Sequence, residues 1–260
     1  MSLHVETLGR GTDLVLLHGW GMNAGVWAPV LDNLADRFHV HLVELPGHGA
    51  SPCDPACSTL ADWAGAVREA VPRGAAWIGW SLGGQVALRA ALDAPDEVAS
   101  LVLVAATPRF VQDADWPHAM EKATFRQFAD NLAADHGATL ERFLALQVRG
   151  AEHAKDTLRW LREEVRGRPA PLDAALDNGL RLLLDTDLRD DLRRLSCPVL
   201  WLLGERDTLV PADVSHELEG LHPDAEILVI GGAAQAPFLS HPARSLQLLE
   251  HFLDEVPAHA

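Results

Sequence analysis

The chain has 260 residues, of which 48% are apolar and 22% charged, and its formal net charge is −16. Length and composition are those of a globular protein with one large domain, or with one domain that carries an insertion. The acidic balance argues against non-specific binding to nucleic acid and against an anionic membrane surface, because both interactions depend on basic residues.

Targeting and redox signals are weak. No apolar run reaches the ~18 residues of a membrane span, and the chain begins without a basic, signal-like segment. Three cysteines, an odd number, do not make a disulfide framework and suit a reducing compartment.

Cys53, Cys57 and His48 share one loop but lack a fourth ligand and the usual zinc spacing, so we expect no metal site there. We expect a cytoplasmic monomer.

Short apolar runs alternate with helical segments along the chain. The predicted strands are residues 5–8, as an edge strand, and residues 14–17, 39–45, 76–79, 101–105, 199–203 and 226–230. The predicted helices are residues 27–36, 60–71, 82–94, 212–221 and 243–255. This alternation predicts an α/β protein in which a mostly parallel sheet carries helices on both faces.

The alternation breaks once, between residues 108 and 195, where helical periodicity continues without a convincing strand. We predict a core formed by residues 1–107 and 196–260, and an inserted helical segment, residues 108–195, which we call the lid. An insertion at the carboxyl end of a strand in such a sheet lies over the crevice where ligands bind.

Residues 79–83 read Gly-Trp-Ser-Leu-Gly and lie between the predicted strand 76–79 and the predicted helix 82–94. A Gly-x-Ser-x-Gly sequence in this context is typical of a nucleophile elbow, a strained turn that exposes the serine hydroxyl. Glycines are needed on both sides because backbone segments approach too closely for a Cβ atom. We therefore expect Ser81 to be a nucleophile; the alternative is a serine that caps a helix in a glycine-rich turn.

A second glycine-rich turn, His18-Gly19-Trp20-Gly21, ends the predicted strand 14–17. If this strand neighbours strand 76–79, the amides of Trp20 and Leu82 point to the same place. Two converging amides, with the positive end of the helix dipole behind one of them, form an oxyanion hole. The alternative is a tight turn without a catalytic role.

A serine nucleophile needs a base, and the base needs an acid that orients it, usually in the chain order serine, acid, histidine. Asp207 follows the predicted strand 199–203 and is the expected acid, with Glu205 and Asp213 as alternatives. After the last predicted strand, 226–230, the first histidine is His241, which makes it one candidate base.

These motifs resemble those of the α/β-hydrolase superfamily and, more closely, of the pimeloyl-[acyl-carrier protein] methyl ester esterases of biotin synthesis. The resemblance covers nearly the whole chain and rests on residues 16–24, 77–84, 141–147 and 236–242. It implies the α/β-hydrolase fold and hydrolysis of the methyl ester of a pimeloyl group borne by an acyl-carrier protein, without a cofactor or a metal.

The resemblance also implies roles for individual residues. Ser81 would be the nucleophile, Asp207 the orienting acid, and Trp20 and Leu82 the oxyanion amides. The family would have histidine where this chain has Gln235, and glutamine cannot accept and return a proton, so we expect an inactive or strongly impaired chain. His241 fits the start of the next helix better than the role of base. The implied substrate pocket comprises Trp20, Leu82, Phe128, Phe143, Leu144, Ala145, Leu146 and Gln147.

Between residues 142 and 168 the chain has seven basic and four acidic residues, against the overall acidic balance. Lys155, Arg159, Arg162 and Arg166 are spaced four, three and four, which places them on one face of a helix. A solvated charged face is one interpretation. The other is a dock for an acidic acyl-carrier protein, formed by Arg142, Lys155, Arg159 and Arg162.

Two other functions stay open from the sequence. One is a general short-chain carboxylesterase with no carrier partner. The other is a non-hydrolytic acyl-carrier binding protein on the same fold.

Overall fold

The computed structural model describes residues 2–255, and every structural statement below concerns that range. Within it, no helix combines the length and the apolar character that crossing a membrane requires.

Seven strands form one sheet, at the places where seven strands are predicted. In chain order they are β1 Val5–Gly9, β2 Thr12–Leu17, β3 Phe38–Val43, β4 Ala75–Trp80, β5 Val98–Val104, β6 Val199–Gly204 and β7 Glu226–Ile230. Their order across the sheet is β1-β3-β2-β4-β5-β6-β7, and only the edge strand β1 runs antiparallel to its neighbour. The carboxyl ends of the six parallel strands therefore meet at one edge of the sheet.

Ten helices accompany the sheet in the described range. They are α1 Ala28–Ala35, α2 Leu60–Ala70, α3 Leu82–Asp93, α4 Lys122–Ala134, α5 His136–Gln147, α6 Ala154–Arg166, α7 Asp173–Asp185, α8 Ser215–Leu221, α9 Pro237–Ser240 and α10 Pro242–Glu255. The predicted helix 212–221 is divided into a 3₁₀ turn, Ala212–Val214, followed by α8. The short helix α9 was not predicted.

Helices α4 to α7 all lie between β5 and β6, within the predicted lid. Their apolar faces are buried, for example at Phe125, Phe143, Leu161 and Leu176. Apart from two isolated bridges, the described part of this segment contains no strand. Leu140 of α5 and Leu176 of α7 approach Gly21 in the turn after β2, so these helices lie next to the sheet edge where the parallel strands end.

An ion-pair network joins the end of the lid to the core. The Arg168 guanidinium donates to the carboxylates of Glu6 in β1 and Glu44, which directly follows β3. Glu44 is almost completely buried, and its carboxylate also accepts a hydrogen bond from the Ala50 amide. Arg168 and the Ala50 amide thus supply the hydrogen-bond donors that a buried carboxylate requires.

Candidate active site

Ser81 lies in the turn between β4 and α3, with the backbone angles φ +54° and ψ −118°. A positive φ is uncommon for a residue with a side chain, and such strain is stored mainly at functional sites. The turn closes only because the residues two positions before and after Ser81 are glycines. A Cβ atom on Gly79 would lie 2.4 Å from the carbonyl oxygen of Gly83, and one on Gly83 would lie 2.4 Å from that of His18.

The two glycine-rich turns lie side by side, as the sequence predicts, because β2 and β4 are parallel neighbours. A Cβ atom built on Gly19 would be 3.3 Å from the Cβ of Ser81, so the Trp20 turn packs directly against the serine. Leu82 is the first residue of α3 and its amide has no intrahelical acceptor. Within residues 2–255, neither the Trp20 amide nor the Leu82 amide donates a hydrogen bond.

Two buried histidines hold the Trp20 turn in place. The Leu45 amide donates to Nε2 of His18, so Nδ1 of this ring carries the proton and donates to the carbonyl of Gly19. The Gly21 amide donates to Nε2 of His48. Burial lowers the pKa of His18 to about 3 and that of His48 to about 4. Both rings are therefore neutral at physiological pH and act as supports for the turn.

Asp207 follows β6 and is buried at the edge where the parallel strands end. Its Oδ1 accepts hydrogen bonds from the amides of Leu209 at 2.7 Å and Val210 at 3.0 Å. Its Oδ2 is buried and has no hydrogen-bond partner in the described structure. Burial raises the pKa of Asp207 to about 7, against the effect of the two amides. The two amides on Oδ1 therefore do not offset burial, and Oδ2 lacks the further donor that would stabilise a negative charge.

The two alternative acids occupy exposed positions. Glu205 accepts a hydrogen bond from the Gly232 amide at 2.7 Å, which ties two loops together. Asp213 lies in the 3₁₀ turn before α8. Among the three carboxylates, Asp207 alone is buried at the strand ends.

Gln235 is completely buried and reaches the same edge of the sheet. Its side-chain Nε2 donates to the carbonyl of Ala105, directly after β5. The main-chain carbonyl of Gln235 accepts a hydrogen bond from Nε1 of Trp80, the residue before Ser81. The loop of Gln235 also contacts the loop of Asp207, since the Arg206 amide donates to the carbonyl of Ala233. Oε1 of Gln235, like Oδ2 of Asp207, is a buried acceptor without a donor in the described residues.

A cavity of about 290 Å³ lies between the lid and the loops at the strand ends. Trp20 lines the cavity, and its ring makes edge contacts with Phe143 and Phe128, at centroid distances of 4.8 and 5.5 Å. Four predicted pocket residues line the cavity, namely Trp20, Phe128, Phe143 and Leu146. Ser81 and four other predicted residues do not line it: Leu82, Leu144, Ala145 and Gln147.

Residues 13–242 match the family model of the alpha/beta hydrolase fold. The chain belongs to the α/β-hydrolase family. Two curated relatives named pimeloyl-[acyl-carrier protein] methyl ester esterase are similar to this α/β hydrolase over nearly their whole length. The protein of Stenotrophomonas maltophilia is 49% identical over 251 residues, 96% of each chain. That of Xanthomonas campestris is 46% identical over 255 residues, 98% of this chain and all of the relative.

Solved structures agree on the fold of this α/β hydrolase. An esterase from Exiguobacterium antarcticum superposes with a TM-score of 0.88 at 21% identity, covering 97% of this chain and 96% of its own. E-2-(acetamidomethylene)succinate hydrolase gives a TM-score of 0.78 at 28% identity, covering 97% of this chain and 95% of its own.

The sequence did not single out several apolar residues that line the cavity of this hydrolase. They are Phe110, Met120, Phe125, Leu180, Leu183 and Leu209. Helical periodicity marks most of them as buried, but it does not tell which neighbour they face. Their position follows from the packing of the lid on the strand ends.

His241 lies between α9 and α10, directly before the helix that starts at Pro242. Its Nδ1 is 2.9 Å from the hydroxyl oxygen of Ser240. The preceding helix α9 is anchored by Phe238, whose ring contacts that of Trp80 at 5.2 Å. Its ring also lies near the loop after β7, since a Cβ atom built on Gly232 would be 3.5 Å from Nε2 of His241.

The basic face of α6 is partly neutralised by other residues of the lid. Arg162 and Arg166 both pair with Glu141 of α5, and Arg159 pairs with Asp156 at 2.9 Å. Lys155 and Arg142 are exposed and have no ion pair within the described residues. The charge free to meet a partner is thus smaller than the seven basic residues suggest.

Proposed function

We propose that this chain binds the methyl ester of a pimeloyl group carried by an acyl-carrier protein, on the scaffold of a serine carboxylesterase. Relatives at 46 and 49% identity that carry this activity in their names support the substrate class. The observation that carries the reaction class is the strained Ser81, packed against a turn with a free amide and followed by a second free amide.

In the complete reaction, Oγ of Ser81 attacks the ester carbonyl and loses its proton to a base. The amides of Trp20 and Leu82 stabilise the negative oxygen of the tetrahedral intermediate. The base returns the proton to the departing methanol, which leaves an acyl-serine. Water then attacks the acyl group through the same base and releases the free carboxylate and Ser81.

Each of these steps needs a proton acceptor, and Gln235 occupies the position where the family resemblance implies a histidine. An amide neither accepts nor returns a proton near neutral pH. Its side chain is also held by the carbonyl of Ala105, away from solvent. We infer that substrate binds while the ester stays intact. Gln235 therefore also favours the second candidate function, a non-hydrolytic acyl-carrier binding protein on the same fold.

The carrier would dock on the lid next to the cavity. Acyl-carrier proteins are acidic, so the exposed cations Arg142 and Lys155 offer a complementary surface. Arg159 and Arg162 contribute less, because they pair with Asp156 and Glu141. The mostly apolar cavity, lined by Phe128 and Phe143, would hold the pimeloyl chain. The proposal retains the expectation of a cytoplasmic monomer.

The test mixes the full chain with pimeloyl-carrier methyl ester and follows complex formation by native mass spectrometry. We expect a complex in which the ester mass is unchanged over hours. The double variant Lys155→Glu, Arg159→Glu should weaken binding, less so at high salt, because exposed charges act through screened attraction. The matched control is Arg193→Glu, which should bind normally. Arg193 is exposed and precedes β6, at the opposite edge of the sheet.

Two outcomes contradict the proposal. Free pimeloyl carrier at an ordinary enzymatic rate would mean that another residue, His241 first, acts as base. Absence of binding to any carrier-linked ester would assign the cavity to a different substrate.

A further inference from the structure

A group of three metal-ligating side chains lies on β2 and β3, away from the candidate active site. Asp13 and His39 are directly paired in the parallel register, and His41 is two residues further along β3, on the same face of the sheet. Asp13 and His39 are the second residues of their strands. The group therefore lies at the amino end of the parallel strands, opposite the edge that carries Ser81.

The two imidazoles converge on one carboxylate oxygen. Nδ1 of His39 is 2.9 Å and Nε2 of His41 is 2.7 Å from Oδ1 of Asp13. All three ligand atoms lie within 4.8 Å of one another. Two imidazole nitrogens and one carboxylate oxygen are a set that zinc and related divalent ions take, with water in the remaining position.

We propose that Asp13, His39 and His41 bind one divalent transition-metal ion of the zinc class. A zinc ion at ~2.0 Å from each ligand holds neighbouring ligand atoms about 3.3 Å apart in tetrahedral geometry. The nitrogen-to-oxygen distances therefore need to lengthen by only about half an ångström. The protons that now bridge each ring to Asp13 move to the other ring nitrogens, so both histidines bind as neutral imidazoles.

Burial and charge suit a cation at this position. The His41 side chain is only 6% exposed and gives a fixed inner ligand, whereas those of His39 and Asp13 are 39% and 33% exposed and leave an entry path. The β1 residue opposite His39 is Gly9, which has no side chain to close that path. The Asp13 carboxylate is the acidic member of the set, and its Oδ1 already accepts from both rings.

The ion would bridge β2 and β3 and stabilise the folded chain. It would take no part in ester chemistry, because its ligands lie at the other end of the strands from Ser81. Metal binding can therefore be tested separately from the proposed function.

The test uses the full-length chain without a histidine tag, stripped of metal with a chelator. Zn²⁺ is titrated by calorimetry, and Co²⁺ by the visible absorption of tetrahedral coordination. We expect one equivalent per chain for both ions. Asp13→Asn and His39→Ala should each lower the affinity by more than about tenfold, the loss commonly seen when even an indirect partner of a metal site is removed.

His118→Ala is the matched control, since His118 pairs through Nδ1 with a single carboxylate, that of Glu217, at 2.6 Å. It should bind like the unmodified chain. Imidazole nitrogen NMR of the unmodified chain gives a second measurement that does not depend on folding of a variant, and only His39 and His41 should shift with Zn²⁺. The proposal is overturned if no equivalent binds, if other histidines shift instead, or if the control loses affinity as the Asp13 and His39 variants do.

Discussion

The buried carboxyl group of Asp207 makes the pH dependence of folding stability a direct probe of the candidate site. Its pKa is about 7 in the folded chain, because burial dominates over the two amides that donate to Oδ1, against an ordinary value of 3.8. Below the ordinary value, the group is protonated in both folded and unfolded chains. As pH rises towards 7 only the unfolded chain loses this proton, so the folded state loses stability.

The difference of about three pKa units corresponds to roughly 4 kcal/mol of unfolding free energy, fully lost above about pH 7. Asp207→Asn removes the titration and adds only a pH-independent cost for its unpaired amide group. We therefore expect the unfolding free energy of the variant, relative to that of the unmodified chain, to rise by several kcal/mol between about pH 4 and about pH 8.

Urea unfolding followed by tryptophan fluorescence measures this difference at each pH. Other titrating groups act equally in both proteins and cancel in the comparison. Parallel stability curves over the whole range would show that Asp207 is ionised and well solvated in the folded chain, and would refute the argument.

Two further substitutions test the local packing by the same unfolding assay. Gly79→Ala should destabilise the chain by about 1–3 kcal/mol, because its Cβ would press on backbone atoms of the elbow. The control Gly65→Ala in α2, where a Cβ meets nothing within 4 Å, should stabilise the chain by about 0.5–1 kcal/mol. Equal effects of the two substitutions would contradict the elbow geometry. Arg168→Ala should cost about 3–5 kcal/mol, because the buried Glu44 carboxylate loses its cation, and adding Glu44→Gln should recover part of that loss. No recovery would mean that Arg168 acts through packing alone.

Much of the fold could be predicted because buried parallel strands are short, continuous apolar runs. The strand Glu226–Ile230 has the predicted bounds. β5 starts three residues before its predicted start, since the buried Ser100 interrupts the apolar pattern there. The helix α9 escapes prediction because a single turn of four residues has no periodicity to detect.

In the candidate site, features set by neighbouring residues could be predicted from the sequence, whereas features set by tertiary packing could not. The backbone of the Ser81 elbow is dictated by neighbouring glycines, so its geometry is readable from five residues. The sequence does not predict that Oδ2 of Asp207 lacks a hydrogen-bond donor, because this depends on how two distant loops are buried together. The pairing of Glu141 with Arg162 likewise depends on the packing of α5 on α6, and that of Asp13 with His39 on the register of β2 and β3.

We propose that this chain has every part of a serine esterase except the proton acceptor at position 235. The most direct test is the rate of hydrolysis of a short p-nitrophenyl ester by Gln235→His, with Gln235→Asn as the control that supplies no base. Because loss of a triad histidine costs ~10⁶ in kcat in a serine protease, the histidine variant should gain several orders of magnitude. Adding Ser81→Ala to it should abolish the gain. An increase of less than about tenfold, or one that survives Ser81→Ala, would contradict the account.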